Sequence, residues 1–439
     1  MQVLKFGGTS VGSVPNMTNV KNIINDGHKK IVVLSAMSGT TNALLEISTS
    51  IQNNNIQCAV DQINKLHELY FKTIDQLLYN DALNEDAKLY VNQIFDLLLQ
   101  TTYENHSTLQ ENKILAQGEM LSTYIFNSYL TQEGISSVLL PALSFMRIDK
   151  TQEPDFYYIK QHIHMVLDDA PEASIYITQG FVCIDELGRV SNLQRGGSDY
   201  TATIIGAAIN AKEVQIWTDI DGMHNNDPRM VNNTNPIKHL SYDEAAELAY
   251  FGAKILHPQT VTPAREGNIP IRLKNTMNPE AEGTLITKDF TGSGIKAIAA
   301  KDHITAIKIK SARMLNAHGF LKRVFEIFEV YETPIDMITT SEVAVSLTID
   351  NSTNLDRIVQ ELQKFSIIEI DYDQSIVCLV GHAVVHHPDT FKLFQVLQDV
   401  KVRMISYGGS NNNISLLVPT AQKRATLTKL QNYIFKLVA

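Results

Sequence analysis

Residues 3–12, Val3-Leu4-Lys5-Phe6-Gly7-Gly8-Thr9-Ser10-Val11-Gly12, lead from a short apolar run into a glycine-rich turn. The apolar run predicts a strand, and residues 15–24 have the apolar spacing of a helix with proline in its first turn. Glycines let backbone N–H groups approach an oxyanion, and a helix N-terminus adds partial positive charge. Lys5 supplies a cation beside the turn. The pattern fits a phosphate-binding loop and an ordinary tight turn equally well. Its lysine precedes the glycines, unlike that of the P-loop NTPases.

The composition is that of a globular protein with more than one domain. The chain has 439 residues, 44% of them hydrophobic and 19% charged, with a formal net charge of −10. This length predicts two or three domains, and the negative charge argues against nucleic acid or an anionic membrane as a partner. The three cysteines, Cys58, Cys183 and Cys378, fit neither a metal site nor a disulfide framework. The sequence has no signal peptide and no apolar stretch that could span a bilayer, so we expect a cytoplasmic protein.

Two more small-residue loops stand between a predicted strand and a predicted helix. Residues 30–36 predict a buried strand that leads into the loop at 38–42. The second loop carries a cation, a hydroxyl and an anion within five residues, at Arg195, Ser198 and Asp199. The carboxyl ends of parallel strands meet at one edge of a sheet, where ligands bind. This combination of groups favours a functional loop over a structural one.

Strands and helices alternate through the first part of the chain, and residues 58–133 read as mostly helical. This alternation predicts an α/β sheet sandwiched by helices. A helix is predicted to begin at Gln117, which would put Glu119 in its first turn. On its own, a glutamate there is explained by the helix dipole. The other predicted strands of this part are at 138–140, 174–179, 213–217 and 269–273.

The remainder of the chain contains an internal repeat of about 65–70 residues. The predicted helices at 320–330 and 391–400 are each followed by a turn and then by the similar strands 345–349 and 414–418. Neither copy holds a convincing catalytic constellation. Each copy predicts an antiparallel sheet covered by helices, which is an α+β unit.

These patterns divide the chain into a catalytic domain and two repeat units. The catalytic domain is predicted over residues 1–297, the first unit over 303–372 and the second over 373–439. A glycine-containing linker is predicted at 291–301. The division allows for strands exchanged between the two units.

Five strings of sequence, in this order, resemble the aspartate kinases (aspartokinases). The strings are KFGGTS at 5–10, RGGSDY at 195–200, WTD at 217–219, DPR at 227–229 and FGAKILHP at 251–258. The resemblance covers the whole chain, since in that family two ferredoxin-like ACT units follow an amino-acid-kinase domain. The chain lacks a dinucleotide fingerprint, which argues against the form fused to homoserine dehydrogenase. It departs from many relatives at His224, where they carry tyrosine.

The resemblance implies transfer of the γ-phosphate of ATP, in the presence of Mg²⁺, to the side-chain carboxylate of L-aspartate. This reaction opens the biosynthesis of lysine, threonine and methionine. A carboxylate with a pKa of about 3.9 is already ionised at neutral pH, so the acceptor needs no general base. Catalysis would then consist of positioning and charge stabilisation.

The resemblance also implies roles for individual residues. Arg195 is expected to bind the α-carboxylate of aspartate and Glu119 its α-ammonium group, while Asp199 orients Lys5 or a metal-bound water. No protein metal-ligand set is expected. Taken singly, the nucleotide residues are equally explained as turn residues, caps or helix-end charges. The full aspartate set is Thr41, Glu119, Arg195 and Ser198, and the ATP set is Lys5, Phe6, Gly7, Gly8, Thr218, Asp219, Arg229 and Lys254.

Feedback inhibition through the first repeat is expected, with L-lysine as the favoured effector. Asp336, at the end of a predicted strand, is the expected acceptor for the effector's ammonium group. Glu342 could receive the second ammonium group, which lysine has and threonine lacks. ACT units pair across dimer interfaces in this family, so at least a homodimer is expected. The full effector set is Met314, His318, Gly319, Phe320, Leu321, Asp336, Thr340, Ser341 and Glu342.

Two other functions stay open on the sequence alone. One is another amino acid kinase that phosphorylates a carboxylate, such as that of glutamate or acetylglutamate. The repeat and the 251–258 string oppose it. The other is an inactive amino-acid sensor that uses only the repeats. The presence of Lys5, Arg195 and Asp199 opposes that reading.

Overall fold

The computed structural model describes residues 1–193, 196–252, 256–288, 294–311, 318–388 and 390–435. The chain divides by its contacts into two compact units. So far as they are described, the first comprises residues 1–223, 238–242 and 255–290, and the second comprises 224–237, 243–254 and 291–439. Segments 224–237 and 243–254, which the sequence puts inside the catalytic domain, therefore belong to the second unit.

The strands of the described residues fall into two large sheets and one hairpin. In chain order they are β1 (Gln2–Phe6), β2 (Lys30–Leu34), β3 (Ser137–Leu140), β4 (Ile175–Gln179), β5 (Val182–Ile184), β6 (Val190–Asn192), β7 (Val214–Thr218), β8 (His239–Ser241), β9 (Ile271–Asn275), β10 (Thr284–Thr287), β11 (Gly294–Lys310), β12 (Ile338–Thr340), β13 (Ala344–Ile349), β14 (Ile367–His382), β15 (Met404–Tyr407) and β16 (Asn413–Pro419).

Several helices of the described chain begin at side-chain caps. Ser13, Asn55, Asn80 and Ser107 each accept a hydrogen bond from a backbone N–H in the first turn of the helix that follows. The helices are α1 (Val14–Ile24), α2 (Thr40–Gln52), α3 (Ile56–Leu77), α4 (Asp81–Thr101), α5 (Thr108–Gln132), α6 (Phe156–Asp169), α7 (Gly197–Ala208), α8 (Tyr242–Tyr250), α9 (Pro258–Glu266), α10 (Phe320–Val330), α11 (Leu355–Gln363), α12 (Lys392–Val396) and α13 (Lys423–Ile434).

The first unit is built on a sheet of eight strands, within the described residues, in the order β3-β4-β2-β1-β7-β9-β10-β8. All its neighbouring strands are parallel except β9 and β10. Every residue of β2 is buried, as expected of a central parallel strand. Residues from α1 to α5 pack on the sheet in one large apolar cluster. The predicted α/β sheet covered by helices is confirmed.

The predicted helix start at Gln117 is wrong. Helix α5 begins at Thr108, and Ser107 caps it, so Glu119 lies in its interior. The polar first turns and Gly118 hide this continuity in the sequence. Gly118 is needed because a Cβ there would lie 2.8 Å from Cβ of Ala36. The helix dipole therefore does not explain Glu119.

The second unit is built on an antiparallel sheet whose order, among the described strands, is β12-β13-β11-β14-β16-β15. Strands β11 and β14 are long, pair with each other, and extend through both repeats. The linker prediction is wrong over 294–301, because these residues form the first half of β11. Residues 291–293 lie outside the described chain.

The two repeats surround this shared pair of strands. The predicted helix at 320–330 is confirmed as α10, whereas the one at 391–400 is confined to Lys392–Val396. Asp336 precedes β12 instead of ending a strand. Separate apolar clusters lie beneath the helices of each repeat.

In the described part of the chain, none of the helices has the length and apolar character needed to cross a membrane.

Candidate active site

The loops that follow β1 and β2 touch each other at the carboxyl edge of the first sheet. The N–H of Ser38 donates to the carbonyl of Gly8 at 3.1 Å. A Cβ on Gly8 would lie 2.9 Å from the Ala36 carbonyl oxygen, so this approach requires glycine. The N–H of Gly7 donates to Trp217 O at 3.4 Å, whereas the N–H of Gly8 makes no backbone hydrogen bond within the described residues. Gly8 is thus the better placed of the two to receive an oxyanion.

Lys5 and Asp199 form an ion pair, with Lys5 Nζ 2.6 Å from Asp199 Oδ1. Lys5 comes from β1, which lies between β2 and β7, and Asp199 from the first turn of α7. Their side chains are only 12% and 17% exposed. Partial burial weakens solvent screening, so the pair fixes the ammonium group more firmly than a surface ion pair would. The sequence placed these two residues in one site, and the structure brings them together.

Glu119 is a buried carboxyl group with an unused acceptor. It is 4% exposed, and its Oε2 has no hydrogen-bond partner among the described residues. Burial raises its pKa from 4.5 to about 8, although a hydrogen bond from the Ala36 N–H and the charge of Lys5 oppose this shift. A carboxyl group held in this way is suited to a ligand that brings its own positive charge.

A cavity of about 400 Å³ opens at this edge, and we call it the sheet-edge cavity. Thr41, Glu119 and Ser198, three of the four predicted aspartate residues, line it; the fourth, Arg195, lies outside the described residues. Its full lining is Gly8, Thr9, Ser35, Ala36, Met37, Ser38, Gly39, Thr41, Asn42, Glu119, Phe181, Gly197 and Ser198.

Ser35 is a cavity residue that sequence reasoning missed. Its hydroxyl donates to the Ser198 hydroxyl at 2.9 Å. Gly180 allows Ser198 to reach this position, since a Cβ on Gly180 would lie 2.3 Å from Cβ of Ser198. The position of Ser35 directly after the fully buried β2, at the edge where ligands bind, is the signal that could have found it.

The predicted nucleotide residues are divided between the two units. In the first unit, Thr218 ends β7 and donates to the exposed Asp219 at 3.1 Å. Phe6 is fully buried and stacks on Trp217, so its side chain belongs to the core. In the second unit, the exposed Arg229 forms a two-point ion pair with Asp227 at 2.9 and 3.0 Å. Lys254 lies outside the described residues.

His224 belongs to the second unit and is half-buried. Its Nδ1 lies 3.0 Å from Oγ1 of Thr234.

In the described residues, no group of three or more histidine, cysteine, aspartate or glutamate side chains could hold a metal ion.

Asp336, the predicted effector residue, is buried in the second unit. Its side chain is 1% exposed, and its Oδ1 accepts from Lys301 Nζ at 2.7 Å and from the Tyr250 hydroxyl at 2.9 Å. Burial raises the pKa of Asp336, against the opposing charge of Lys301. Glu342, by contrast, is exposed in the turn that follows β12.

The other predicted effector residues surround α10 and the β12–β13 turn. Gly319 is the N-cap of α10 in a left-handed conformation. Phe320 packs against Phe365, and Leu321 is exposed. Thr340 and Ser341 lead into the turn, where the Ser341 N–H donates to Ala344 O. His318 is exposed. Met314 lies outside the described residues.

Comparison with known proteins gives consistent results over the whole chain. Residues 1–275 match the amino acid kinase family, and residues 377–433 match an ACT domain. Aspartokinase 1, chloroplastic, of Arabidopsis thaliana is 36% identical over 463 residues, covering 99% of this chain and 80% of that protein. The structure of E. coli aspartokinase III with aspartate and ADP (R-state) is 30% identical, with a TM-score of 0.86 over 99% of this chain and 100% of that one. The structure of the same enzyme with lysine and aspartate (T-state) is also 30% identical, with a TM-score of 0.81 over 99% of both chains.

Proposed function

The chain belongs to the aspartokinases of the amino acid kinase family, and from this premise we propose that it transfers the γ-phosphate of ATP to the side-chain carboxylate of L-aspartate. The products are 4-phospho-L-aspartate and ADP. The observation that carries the proposal is the Lys5–Asp199 ion pair beside the unpartnered oxygen of Glu119. A fixed cation neutralises the negative charge of the phosphoryl group during transfer, and a buried carboxyl group can pair with the ammonium group of an amino acid.

The aspartate is held in the sheet-edge cavity by groups that recognise an amino acid. Glu119 binds the α-ammonium group, which requires that Glu119 give up its proton when the substrate enters. Arg195 binds the α-carboxylate, for which its planar fork is suited. Thr41 and Ser198 hydrogen-bond the carboxylates, and the Ser35–Ser198 bond keeps the latter hydroxyl in place.

The phosphoryl group passes between two anions, so neutralising charge is the main catalytic task. Lys5 stabilises that charge, and Asp199 holds the Lys5 ammonium group in position. The Gly8 N–H donates to a phosphoryl oxygen. The remaining nucleotide contacts come from Phe6 and Gly7 through their backbone and from Thr218, Asp219, Arg229 and Lys254.

A Mg²⁺ ion fits this site as a partner of the nucleotide. The ion is commonly held by one or two carboxylates together with phosphate oxygens. Asp199 is the carboxylate that would face it, directly or through water. The ion would supply positive charge to the phosphate oxygens.

Lysine inhibits the enzyme through the first repeat. Asp336 is the acceptor for one ammonium group and Glu342 for the other, and the first turn of α10 receives the carboxylate. The edge strand β12 exposes Ile338, and the turn after it exposes Val343. An exposed apolar edge favours pairing with a second copy, so the enzyme is at least a homodimer.

The catalytic domain is assigned to the chain before β11, without the segments 224–237 and 243–254, and the two ACT units to the chain from β11 onward, with strands β11 and β14 common to both units. All three cysteines are free, which suits a reducing compartment such as the cytoplasm.

The test is ADP release from ATP by the purified protein, measured with aspartate, glutamate or acetylglutamate as acceptor. We expect turnover with aspartate alone. Lysine, threonine and methionine are then added separately, and only lysine should inhibit. Turnover with glutamate or acetylglutamate instead of aspartate would assign the enzyme to another amino acid kinase, and no turnover with any acceptor would leave a sensor.

A further inference from the structure

Asp336 lies in a cluster of four side chains within the second unit, which we call the Asp336 cluster. Lys301 bridges two carboxylates, with its Nζ 2.7 Å from Asp336 Oδ1 and 2.8 Å from Asp350 Oδ2. The Tyr250 hydroxyl donates to the same Asp336 oxygen at 2.9 Å, and the Lys301 ammonium group lies 4.5 Å from the centre of the Tyr250 ring. Asp336 Oδ2 is buried and has no partner in the described part of the chain.

The cluster therefore already contains the chemical group that a lysine effector would bring. The Lys301 ammonium group is bound to the carboxylate on which the effector's ammonium group is expected. One buried carboxylate cannot satisfy two ammonium groups as well as one, because their like charges repel each other at this distance. An effector that binds the unpartnered Oδ2 brings a second ammonium group to the carboxylate that Lys301 holds, and the repulsion between the two favours a shift of Lys301 towards Asp350.

Tyr250 ties this carboxylate to helix α8. It is the last residue of α8, and the chain continues at once into Phe251 and Gly252. Gly252 is held closely to β11: its φ is +121°, and a Cβ there would lie 2.1 Å from the Ala300 carbonyl oxygen. Ala300 directly precedes Lys301. The end of α8 is thus joined to β11 twice, once through backbone packing and once through Tyr250 and Asp336.

We propose that Tyr250 transmits occupation of the effector site to helix α8, with Lys301 as the internal competitor of the effector's ammonium group. When an effector takes the Asp336 carboxylate, Lys301 and the Tyr250 hydroxyl lose their shared acceptor, and the end of α8 keeps only its backbone packing against β11. Lys254 follows Gly252 by two residues in the chain, and the proposed function assigns Lys254 to the phosphates of ATP. The inference rests on that proposed function and adds to it the residues that couple binding to inhibition.

The decisive variant is Tyr250→Phe in the full-length protein. It keeps the ring and removes only the hydroxyl. Its matched control is Tyr407→Phe, which removes a tyrosine hydroxyl bonded to Val385 O at 2.6 Å in the second repeat. Lysine binding is measured by calorimetry, and aspartate-dependent ADP release is measured with and without saturating lysine. Coupling free energies of this kind typically change an affinity or activity about 5–150-fold.

We expect Tyr250→Phe to bind lysine within about threefold of wild type and yet to keep most of its uninhibited rate at saturating lysine. Wild type and Tyr407→Phe should both be strongly inhibited. Full inhibition of Tyr250→Phe at wild-type lysine concentrations would overturn the proposal. Loss of lysine binding in this variant would also overturn it, because Tyr250 would then shape the site without transmitting its occupation.

Lys301→Met tests the competition separately, should Tyr250→Phe not fold. Removing the internal ammonium group should tighten lysine binding severalfold, by calorimetry. Unchanged or weaker binding contradicts the competition. If wild-type enzyme turns over aspartate but neither binds lysine nor is inhibited by it, the lysine regulation of the proposed function fails, and the coupling fails with it. The variants are then not needed to tell the two failures apart.

Discussion

Two lysine–aspartate ion pairs of nearly equal length lie in the two units. Lys5 and Asp199 are 2.6 Å apart in the first unit, and Lys301 and Asp336 are 2.7 Å apart in the second. All four side chains are at most 20% exposed, so their electrostatic environments are similar. What differs is the number of other side chains that each pair contacts. Lys301 also binds Asp350, and Asp336 also binds Tyr250, whereas Lys5 has Asp199 as its one ion-pair partner in the described chain.

This difference indicates how one ion pair can serve two purposes. An ammonium group has three donors. In the first unit, a single carboxylate holds Lys5 in place and leaves donors for an incoming phosphoryl group. In the second unit, hydrogen bonds and ion pairs link four side chains, so a ligand that binds one of them disturbs the others. The first arrangement favours catalysis, and the second favours switching.

The largest expected effect comes from breaking the first pair. Lys5→Ala removes a charge that acts on the transition state, and kcat should fall about 10²–10³-fold or more. Lys21→Ala is the matched control, since Lys21 forms a comparably buried ion pair with Glu133 at 2.8 Å in the same unit. The measurement is aspartate-dependent ADP release by folded protein, with folding checked by thermal unfolding. The comparison fails if Lys5→Ala and Lys21→Ala turn over equally well.

A second experiment removes the negative charge of the other pair without changing the size of the side chain. Asp336→Asn should raise the lysine concentration for half-inhibition at least about tenfold, because the ammonium group of the effector loses its charged partner. Each variant's inhibition is expressed relative to its own rate without lysine. Glu133→Gln, which weakens the Lys21 ion pair of the first unit, serves as the control and should be inhibited like wild type. If lysine inhibits Asp336→Asn as strongly as wild type, the effector does not bind at the Asp336 cluster.

A third prediction concerns pH and Glu119. Below its pKa of about 8 this group is neutral, and it must lose its proton to pair with the ammonium group of aspartate. The apparent KM for aspartate should therefore fall as pH rises from about 6 to about 8, by up to about tenfold per unit. The KM for ATP should change much less. In Glu119→Gln the aspartate KM should be higher and its pH dependence lost, so an identical slope in both proteins contradicts the assignment.

The same pKa fixes the sign of the effect of Glu119 on stability. Its folded-state pKa is raised above the ordinary 4.5, so the folded protein holds this proton more tightly than the unfolded chain. The resulting stabilisation is present in full below about 4.5 and is lost as pH rises towards 8. The side-chain amide of Glu119→Gln does not ionise, so the Tm of this variant should rise relative to that of wild type as pH increases over that interval. A constant difference in Tm over this interval contradicts the raised pKa.

The smallest effect is expected in the second repeat. Strand pairing aligns Ile338 with Ile405, and so places Arg403 where the first repeat has Asp336. Arg403 pairs with Asp371 at 2.7 Å, and an ammonium group would be repelled there. Arg403→Gln should change lysine inhibition less than twofold and cost about 0.2–1 kcal/mol of unfolding free energy, as partly exposed ion pairs do. A large loss of lysine inhibition in this variant would show that both repeats take part.

The sequence predicts best where local pattern and tertiary structure agree. The alternation of strands and helices in the first part and the apolar stripe of α10 come from short-range periodicity, and both are confirmed. The motif loops also lead to the Lys5–Asp199 pair, although the two residues are far apart in the chain. The first two features depend on spacing that can be read without knowing what packs against it, whereas the Lys5–Asp199 pair follows from the family resemblance of the motif strings.

The predictions fail where a glycine or a short element has a tertiary cause. The sequence predicts a helix start at Gln117, but the adjacent Gly118 is a contact point inside α5. The glycines at 292 and 294 suggested a linker, whereas the apolar residues after them pair with β14. Strands β8 and β10 have only three and four residues and were not predicted. The hydrogen bond between Tyr250 and Asp336 joins residues 86 positions apart in the chain, so no local sequence pattern predicts it.

Strands β11 and β14 make each repeat depend on the other. A cut between residues 372 and 373, where the repeat pattern divides, falls inside β14 and would leave both fragments with a broken central strand. Neither repeat can therefore be excised or grafted singly onto another enzyme without exposing an unpaired edge. The smallest transferable module is the complete six-stranded sheet with its helices. A change of effector is then reached by substituting side chains within this module, and not by shuffling one repeat for another.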